Sequence, residues 1–177
     1  GQSHYLLYYV FKDGSINKLS QTNFMQQPNG KSIIAATSAD LHNDQRAKIY
    51  DSLLSALGFT GLVMIEVKEY EGEFYMIEAN PRFWGPSQLF VDAGKNLFLE
   101  MLHDYGFISD KPALLDAPKQ VKYYWHGGVV ETIKASGNLV FYGDTKADFI
   151  HNMQDWMASD IYNRVDTAGL FSKEAGR

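Results

Sequence analysis

Glu66, Glu78, Asn80 and Arg82 form a short series of oxygen-bearing and cationic side chains within Gly61 to Gly85, G-L-V-M-I-E-V-K-E-Y-E-G-E-F-Y-M-I-E-A-N-P-R-F-W-G. Two carboxylates and an amide oxygen make an all-oxygen set suited to Mg²⁺ (or Mn²⁺). Such an ion takes few protein oxygens and leaves room for water and substrate phosphates. Arg82 adds a fixed positive charge with a planar fork of donors, the usual partner of phosphate or carboxylate oxygens. The competing reading is a solvated sheet face whose charges happen to line up, because Glu is ordinarily exposed.

These residues need strands to hold them. Leu62 to Lys68 and Phe74 to Ala79 are rich in β-branched, aromatic and other apolar residues, with a Gly-containing turn between them, and read as a β-hairpin. Strand side chains alternate faces, so Leu62, Met64, Glu66 and Lys68 share one face and Val63, Ile65 and Val67 the other. A three-residue loop, Glu71-Gly72-Glu73, places Glu66 directly opposite Glu78. Carboxylates so placed repel unless a cation or proton lies between them. Asn80 extends the same face, and Arg82 follows if the chain stays extended through Pro81.

Glu66 followed by Glu78-x-Asn80-x-Arg82, set in G-L-V-M-I-E-V and Y-M-I-E-A-N-P-R-F-W-G, resembles the metal-binding end of the ATP-grasp ligases. The likeness is to the carboxylate-amine ligase branch that includes biotin carboxylase and the large subunit of carbamoyl-phosphate synthase. It runs from about His4 to Gly106 and fades beyond. It implies an α+β fold, a largely antiparallel sheet with packed helices, like the C-terminal subdomain of an ATP-grasp module. It divides the chain into 1–106, that subdomain, and 107–177, an extension packing on the same sheet. It also implies roles: Glu66, Glu78 and Asn80 as metal ligands, Arg82 as the group stabilising phosphoryl or carboxylate oxygens, and His4 on the nucleotide side.

The whole chain sets outer bounds. With 177 residues and 45% hydrophobic residues it is long enough to bury one ordinary core. Charged residues make up 21% and the net charge is −5, which argues against nucleic acid or an anionic membrane surface as partner. There is no cysteine, which excludes disulfides, thiolate zinc and cysteine nucleophiles, and fits a cytoplasmic setting. No apolar run approaches the roughly 20 residues that cross a bilayer. The five histidines lack close ligand spacing, so no transition-metal site is expected.

In chain order, Tyr5 to Phe11 and Ile16 to Phe24 flank Lys12-Asp13-Gly14-Ser15, a strong hairpin signal. Met25 to Lys31 reads as a polar loop and Ser32 to Thr37 as a third strand. Asn29-Gly30-Lys31-Ser32 has the ending of a phosphate-binding P-loop but lacks its earlier glycine and its strand-to-helix setting, and is expected to be a turn. Asp44 to Leu57 carries a helical stripe ended by Gly58, and Gln88 to Ala93 and Leu97 to Tyr105 are two short helices, the second capped by Asn96 and stopped by Gly106. Trp84 is either a core anchor or a pocket wall. Ile108 to Lys119, with Pro112 and Pro118, is irregular. Gln120 to Trp125, Gly128 to Ile133 and Val140 to Tyr142 are strand candidates. Thr145, with Asp148 as capping-box acid, opens a helix bearing Phe149, Ile150, Met153, Trp156 and Met157 on one face.

The resemblance implies a reaction in which ATP converts a small-molecule carboxylate to an acyl phosphate, which an amine or other nucleophile then displaces. A complete ATP-grasp enzyme also carries a glycine-rich loop, lysines and an adenine-binding segment before the region seen here. Gly1-Gln2-Ser3 leads directly into strand-like sequence with no initiator methionine, so the chain is expected to be an excised piece whose N-terminal half is its missing partner. The alternative is a non-catalytic α+β binding module that keeps the hairpin for packing.

Overall fold

Tyr5 to Val10 are six consecutive buried residues, and a strand whose side chains are buried on both faces must lie inside a sheet covered on both sides. In the computed structural model, which describes residues 1–115, 119–143, 146–167 and 169, this run is the centre of β1 (Gln2–Val10). The chain divides into two compact units, Gly1–Thr22 with Thr37–Val121, and Asn23–Ala36 with Lys122–Arg177. Strands β2 (Ile16–Gln26) and β3 (Ile33–Ala39) contribute residues to both.

The first unit is an α+β arrangement. After β3 come α1 (Lys48–Ala56), β4 (Gly61–Tyr70), β5 (Glu73–Asn80), α2 (Gln88–Asp92) and α3 (Leu97–Asp104), and the strand order is β5-β4-β1-β2-β3. The expected Asp-Gly hairpin joins β1 to β2: Gly14 takes φ +83°, its N–H bonds to the Phe11 carbonyl at 2.9 Å, and Ser15 N–H bonds to Asp13 Oδ1 at 2.8 Å. β1 then pairs antiparallel with β4 from Gln2↔Glu69 to Val10↔Gly61.

That register gives the sheet two different faces. On one, Leu6, Tyr8, Val10, Val63, Ile65 and Val67 meet Ala47, Tyr50 and Leu54 of the α1 region in a single apolar cluster. Each such side chain gains about 1.5–3 kcal/mol on burial, before chain entropy is charged against it. On the other, α3 packs on β1 and β4, and Tyr9 Oη donates to Asp104 Oδ2 at 2.9 Å. Trp84 belongs to this layer. It is buried with its ring centroid 5.3 Å from that of Phe90, so it serves as a core anchor.

The helix expected from Asp44 starts later, at Lys48, because the Asp44 carboxylate binds the side chain and backbone N–H of Arg46 instead of capping the helix. Its end is as expected, with Gly58 at φ +57°. Asn96 caps α3, accepting from Leu99 N–H at 3.2 Å, and Gly106 follows at φ +74°. Asn29 and Gly30, at φ +60° and +69°, form a tight turn where the P-loop ending was considered.

The second unit holds the end of β2, the start of β3, and then β6 (Lys122–Tyr124), α4 (His126–Lys134), β7 (Val140–Phe141), α5 (Lys146–His151) and α6 (Met153–Ala158). β7 pairs with β2, extending that strand through Met25 and Gln26, which were expected in a loop. Trp125 N–H bonds to the Ile34 carbonyl at 2.9 Å. Met25, Ile34, Ala35, Tyr124, Phe149 and Trp156 form the core, with Phe149 and Trp156 stacked at 5.2 Å.

Here two expectations are corrected. Gly128 to Ile133 is not a strand but the body of α4. Its β-branched residues favour a strand only where a sheet edge takes them, whereas Ile133 is exposed and Gly128 lies against the Trp125 ring, where only glycine fits. The helix expected from Thr145 to Met157 breaks at Asn152, whose side chain bonds to the Asp148 carbonyl at 3.1 Å, so Ile150 and Met157 face solvent while Phe149 and Trp156 are buried. Thr145, its proposed cap, and Pro118 lie outside the described residues. Among the described residues no helix is long and apolar enough to cross a membrane.

Candidate active site

The hairpin β4–β5 closes with a two-residue turn, Glu71 at φ +51° and Gly72 at φ +80°, not the three-residue loop expected. From that turn the pairs run Tyr70↔Glu73, Glu69↔Phe74, Lys68↔Tyr75 and Val67↔Met76. Then the register shifts: Glu66 pairs with Glu78, Ile65 with Ala79 and Met64 with Asn80, leaving Ile77 as the extra residue of a β-bulge. The shorter turn and the bulge offset each other. Glu66 therefore lies opposite Glu78, as expected, by a different local route.

Glu66 is only 8% exposed, and burial pushes its carboxyl above the ordinary range, with the facing Glu78 adding to the rise and Lys68 opposing it. Lys68 Nζ lies 3.9 Å from Glu66 Oε1. Glu78 is exposed, and its Oε1 accepts a hydrogen bond from Asn80 Nδ2 at 2.6 Å. Two facing carboxylates repel unless a proton or cation lies between them, and a hard divalent cation suits such an oxygen pair. Among the described residues there is no group of three or more His, Asp or Glu that could hold a metal ion. Two carboxylates with an amide oxygen are thus a partial set, the kind that Mg²⁺ completes with water and phosphate.

Arg82 departs from the extended path. Its N–H bonds back to the Asn80 carbonyl at 2.9 Å, turning the chain at Pro81, and its guanidinium donates to the Phe83 carbonyl at 3.1 Å. It is exposed at the end of β5.

His4 lies on the other face from the carboxylates. It pairs with Val67, whereas Tyr5 pairs with Glu66, and neighbouring residues of a strand point to opposite sides. It is 3% exposed, with Nδ1 3.1 Å from Thr22 Oγ1 and Nε2 3.3 Å from Glu69 Oε2, and burial holds its pKa below the usual histidine value. The structure brings Glu66, Glu78 and Asn80 together and sets His4 apart from them.

Two residues with no sequence signal organise His4's face. Arg46 grips both Asp44 oxygens, with Nε 3.0 Å from Oδ1 and Nη2 2.6 Å from Oδ2. Its Nη1 also donates to Glu69 Oε1 and to the Gly72 carbonyl, each at 2.7 Å, while the guanidinium lies 4.0 Å over the Phe74 ring. Glu69 joins this arginine to His4, and Arg46 holds its carboxyl below the usual range. Arg46 and Glu69 are 23 residues apart, a separation that no periodic pattern marks.

By sequence, no family model and no curated protein matches the chain. Solved structures do. N5-carboxyaminoimidazole ribonucleotide synthetase from Thermus thermophilus is similar at TM-score 0.55 and 16% identity, over 68% of this chain and 34% of that one. The phosphoribosylaminoimidazole carboxylase ATPase subunit from Aquifex aeolicus is similar at TM-score 0.56 and 14% identity, over 68% and 38%. A biotin carboxylase–β,γ-ATP complex from Campylobacter jejuni is similar at TM-score 0.53 and 15% identity, over 68% and 28%. The chain thus shares, over about 68% of its length, the fold of ATP-grasp enzymes, and it spans about a third of the length of these three structures.

Proposed function

We propose that this chain is the part of an ATP-dependent ligase that supplies the carboxylates for Mg-ATP, in a reaction joining a small-molecule carboxylate to an amine or related nucleophile through an acyl phosphate. The observation that carries this reading is the direct pairing of Glu66 with Glu78, on a fold shared with ATP-grasp enzymes. Glu66, Glu78 and Asn80 would hold Mg²⁺ (or Mn²⁺). When bound, such an ion supplies Lewis-acid stabilisation of charge on phosphate oxygens.

The chain's own residues then have distinct tasks. Buried Glu66 is the fixed carboxylate, set by the register of β4 between β1 and β5, and exposed Glu78 is the one a phosphate-bearing ligand approaches. Asn80 orients Glu78 through its 2.6 Å hydrogen bond. Arg82 would bind phosphoryl or carboxylate oxygens, exchanging its bond to the Phe83 carbonyl for a charged partner. His4 has both ring nitrogens engaged, so a nucleotide contact there would replace one of those bonds. Adenine contacts and the glycine-rich loop would come from the N-terminal half of the same polypeptide.

The test is turnover in the parent protein. Glu78→Gln is expected to abolish ATP hydrolysis coupled to ligation while leaving the fold intact, and wild-type-like turnover would end the metal assignment. A second reading, a non-catalytic α+β binding module, is favoured by one observation: Lys68 Nζ, 3.9 Å from Glu66, gives that carboxylate a cation of the protein's own. Under it, Lys68→Met would destabilise the fold and Mn²⁺ would not bind at the pair.

A further inference from the structure

Phe74 and Glu78 are four residues apart in β5, and in an unbroken strand they would share a face. They do not. Phe74 pairs with Glu69 and packs on the α1-side cluster, whereas Glu78 pairs with Glu66 on the opposite face. The extra residue Ile77 makes the switch, and any arrangement that keeps Phe74 opposite Glu69 and Glu78 opposite Glu66 must contain such a bulge.

The hairpin has an alternative that needs no bulge. Opening its tip to a three-residue loop would set Glu78 opposite Glu66 in a regular ladder, but it would put Phe74 opposite Tyr70 and turn its ring to the other face. Arg46 distinguishes the two arrangements. Its guanidinium bonds Glu69 and the Gly72 carbonyl and covers the Phe74 ring. It can do all three only while Phe74 shares a face with Glu69 and the turn is two residues long.

We propose that Arg46 sets the register of the β4–β5 hairpin: by holding the tip in its two-residue turn, with Phe74 opposite Glu69, it forces Ile77 into a bulge beside the Glu66–Glu78 carboxylate pair. Naming the pair as metal ligands rests on the proposed function; the register argument does not. Arg46 acts from the far face of the sheet and touches neither Glu66 nor Glu78. Its Asp44 partner fixes the guanidinium plane from the chain just before α1.

The experiment is nuclear magnetic resonance on this chain in EDTA, comparing wild type with Arg46→Ala, Arg46→Lys and Phe74→Ala. In the wild type, cross-strand contacts should join Glu69 to Phe74 and Glu66 to Glu78. In Arg46→Ala, Glu69 should contact Tyr75 instead, and amides from Phe74 to Glu78 should exchange at least about tenfold faster, with β1 amides unchanged. Should Arg46→Ala not fold, Arg46→Lys is read in its place. It keeps the charge but cannot bond Glu69 and Gly72 together while covering Phe74, so both registers should be seen. Retention of the Glu69–Phe74 contact and the bulge in the folded arginine variants would overturn the proposal. So would a register shift in Phe74→Ala alone, since apolar packing would then be the holder.

A separate Mn²⁺ titration of wild type and Glu78→Gln tests the metal reading. Binding indifferent to Glu78 would sink that reading and leave the register result standing.

Discussion

Glu78 stands directly across from Glu66, and the two differ in everything except charge: Glu66 is buried within β4, while Glu78 is exposed on β5, the outer strand of the order β5-β4-β1-β2-β3. One carboxylate is fixed by its surroundings and the other is open to a ligand. That asymmetry yields the first prediction.

Without metal the pair is a liability. Glu78→Gln in EDTA should leave stability unchanged or raise it by less than about 1 kcal/mol, because one of two facing charges is removed at a solvated position. Urea melts at neutral pH measure this. A loss above about 2 kcal/mol with unchanged slope would mean that Glu78 is kept for the fold.

The chain by itself should bind Mg-ATP weakly. It spans about a third of the length of the structures it resembles, so under the proposed function it would hold only part of the nucleotide site. Calorimetry should give a dissociation constant weaker than about 10 μM, near −7 kcal/mol. Tighter binding would show that these residues suffice alone.

Glu100 on α3 sets a pH dependence unrelated to the metal pair. It is 2% exposed, Asn17 Nδ2 donates to its Oε1, and its Oε2 is buried with no hydrogen-bond partner among the described residues. Burial raises its pKa above the ordinary 4.5, with Asn17 and then Lys95 and Lys111 acting the other way. A raised carboxyl pKa favours the folded state at low pH, where both states are protonated. That advantage is lost as pH rises from about 4.5 through the folded value. Glu100→Gln should therefore flatten the fall in stability on going from pH 4.5 toward neutrality, read as urea midpoints at pH 4.5 and 7.5. An identical pH profile in the variant would contradict this.

Gly128 tests the second unit. A Cβ there would lie 2.5 Å from Trp125 Cε3 and 3.0 Å from Ile34 Cγ1. Gly128→Ala should cost about 1–3 kcal/mol through overpacking, despite alanine's better helix propensity. Stability equal to or above wild type would show that the Trp125 ring gives way easily.

Much of this was legible in the residues themselves. The Asp-Gly hairpin and the Asn96 cap follow from turn chemistry and capping, which are local properties of consecutive residues, and the α+β fold was implied by the resemblance; the Glu66–Glu78 pairing was expected through a three-residue loop and is reached through a two-residue turn and a bulge. Three features depended on residues far apart in sequence. Gly128 to Ile133 carries strand-forming side chains but becomes a helix, because Trp125 and Ile34 decide what can lie beside Gly128. His4, expected on the nucleotide side from the resemblance alone, is set by register alternation on the face opposite the carboxylates, a placement decided by the pairing of β1 with β4. The bulge at Ile77 needs Phe74 held on one side of the sheet and Glu78 on the other, and the groups that hold Phe74 include Arg46, which reaches the hairpin only through the fold. Local sequence set which side chains alternate; tertiary contacts set where the alternation is broken, because a one-residue shift costs little locally and is decided by what each face is packed against.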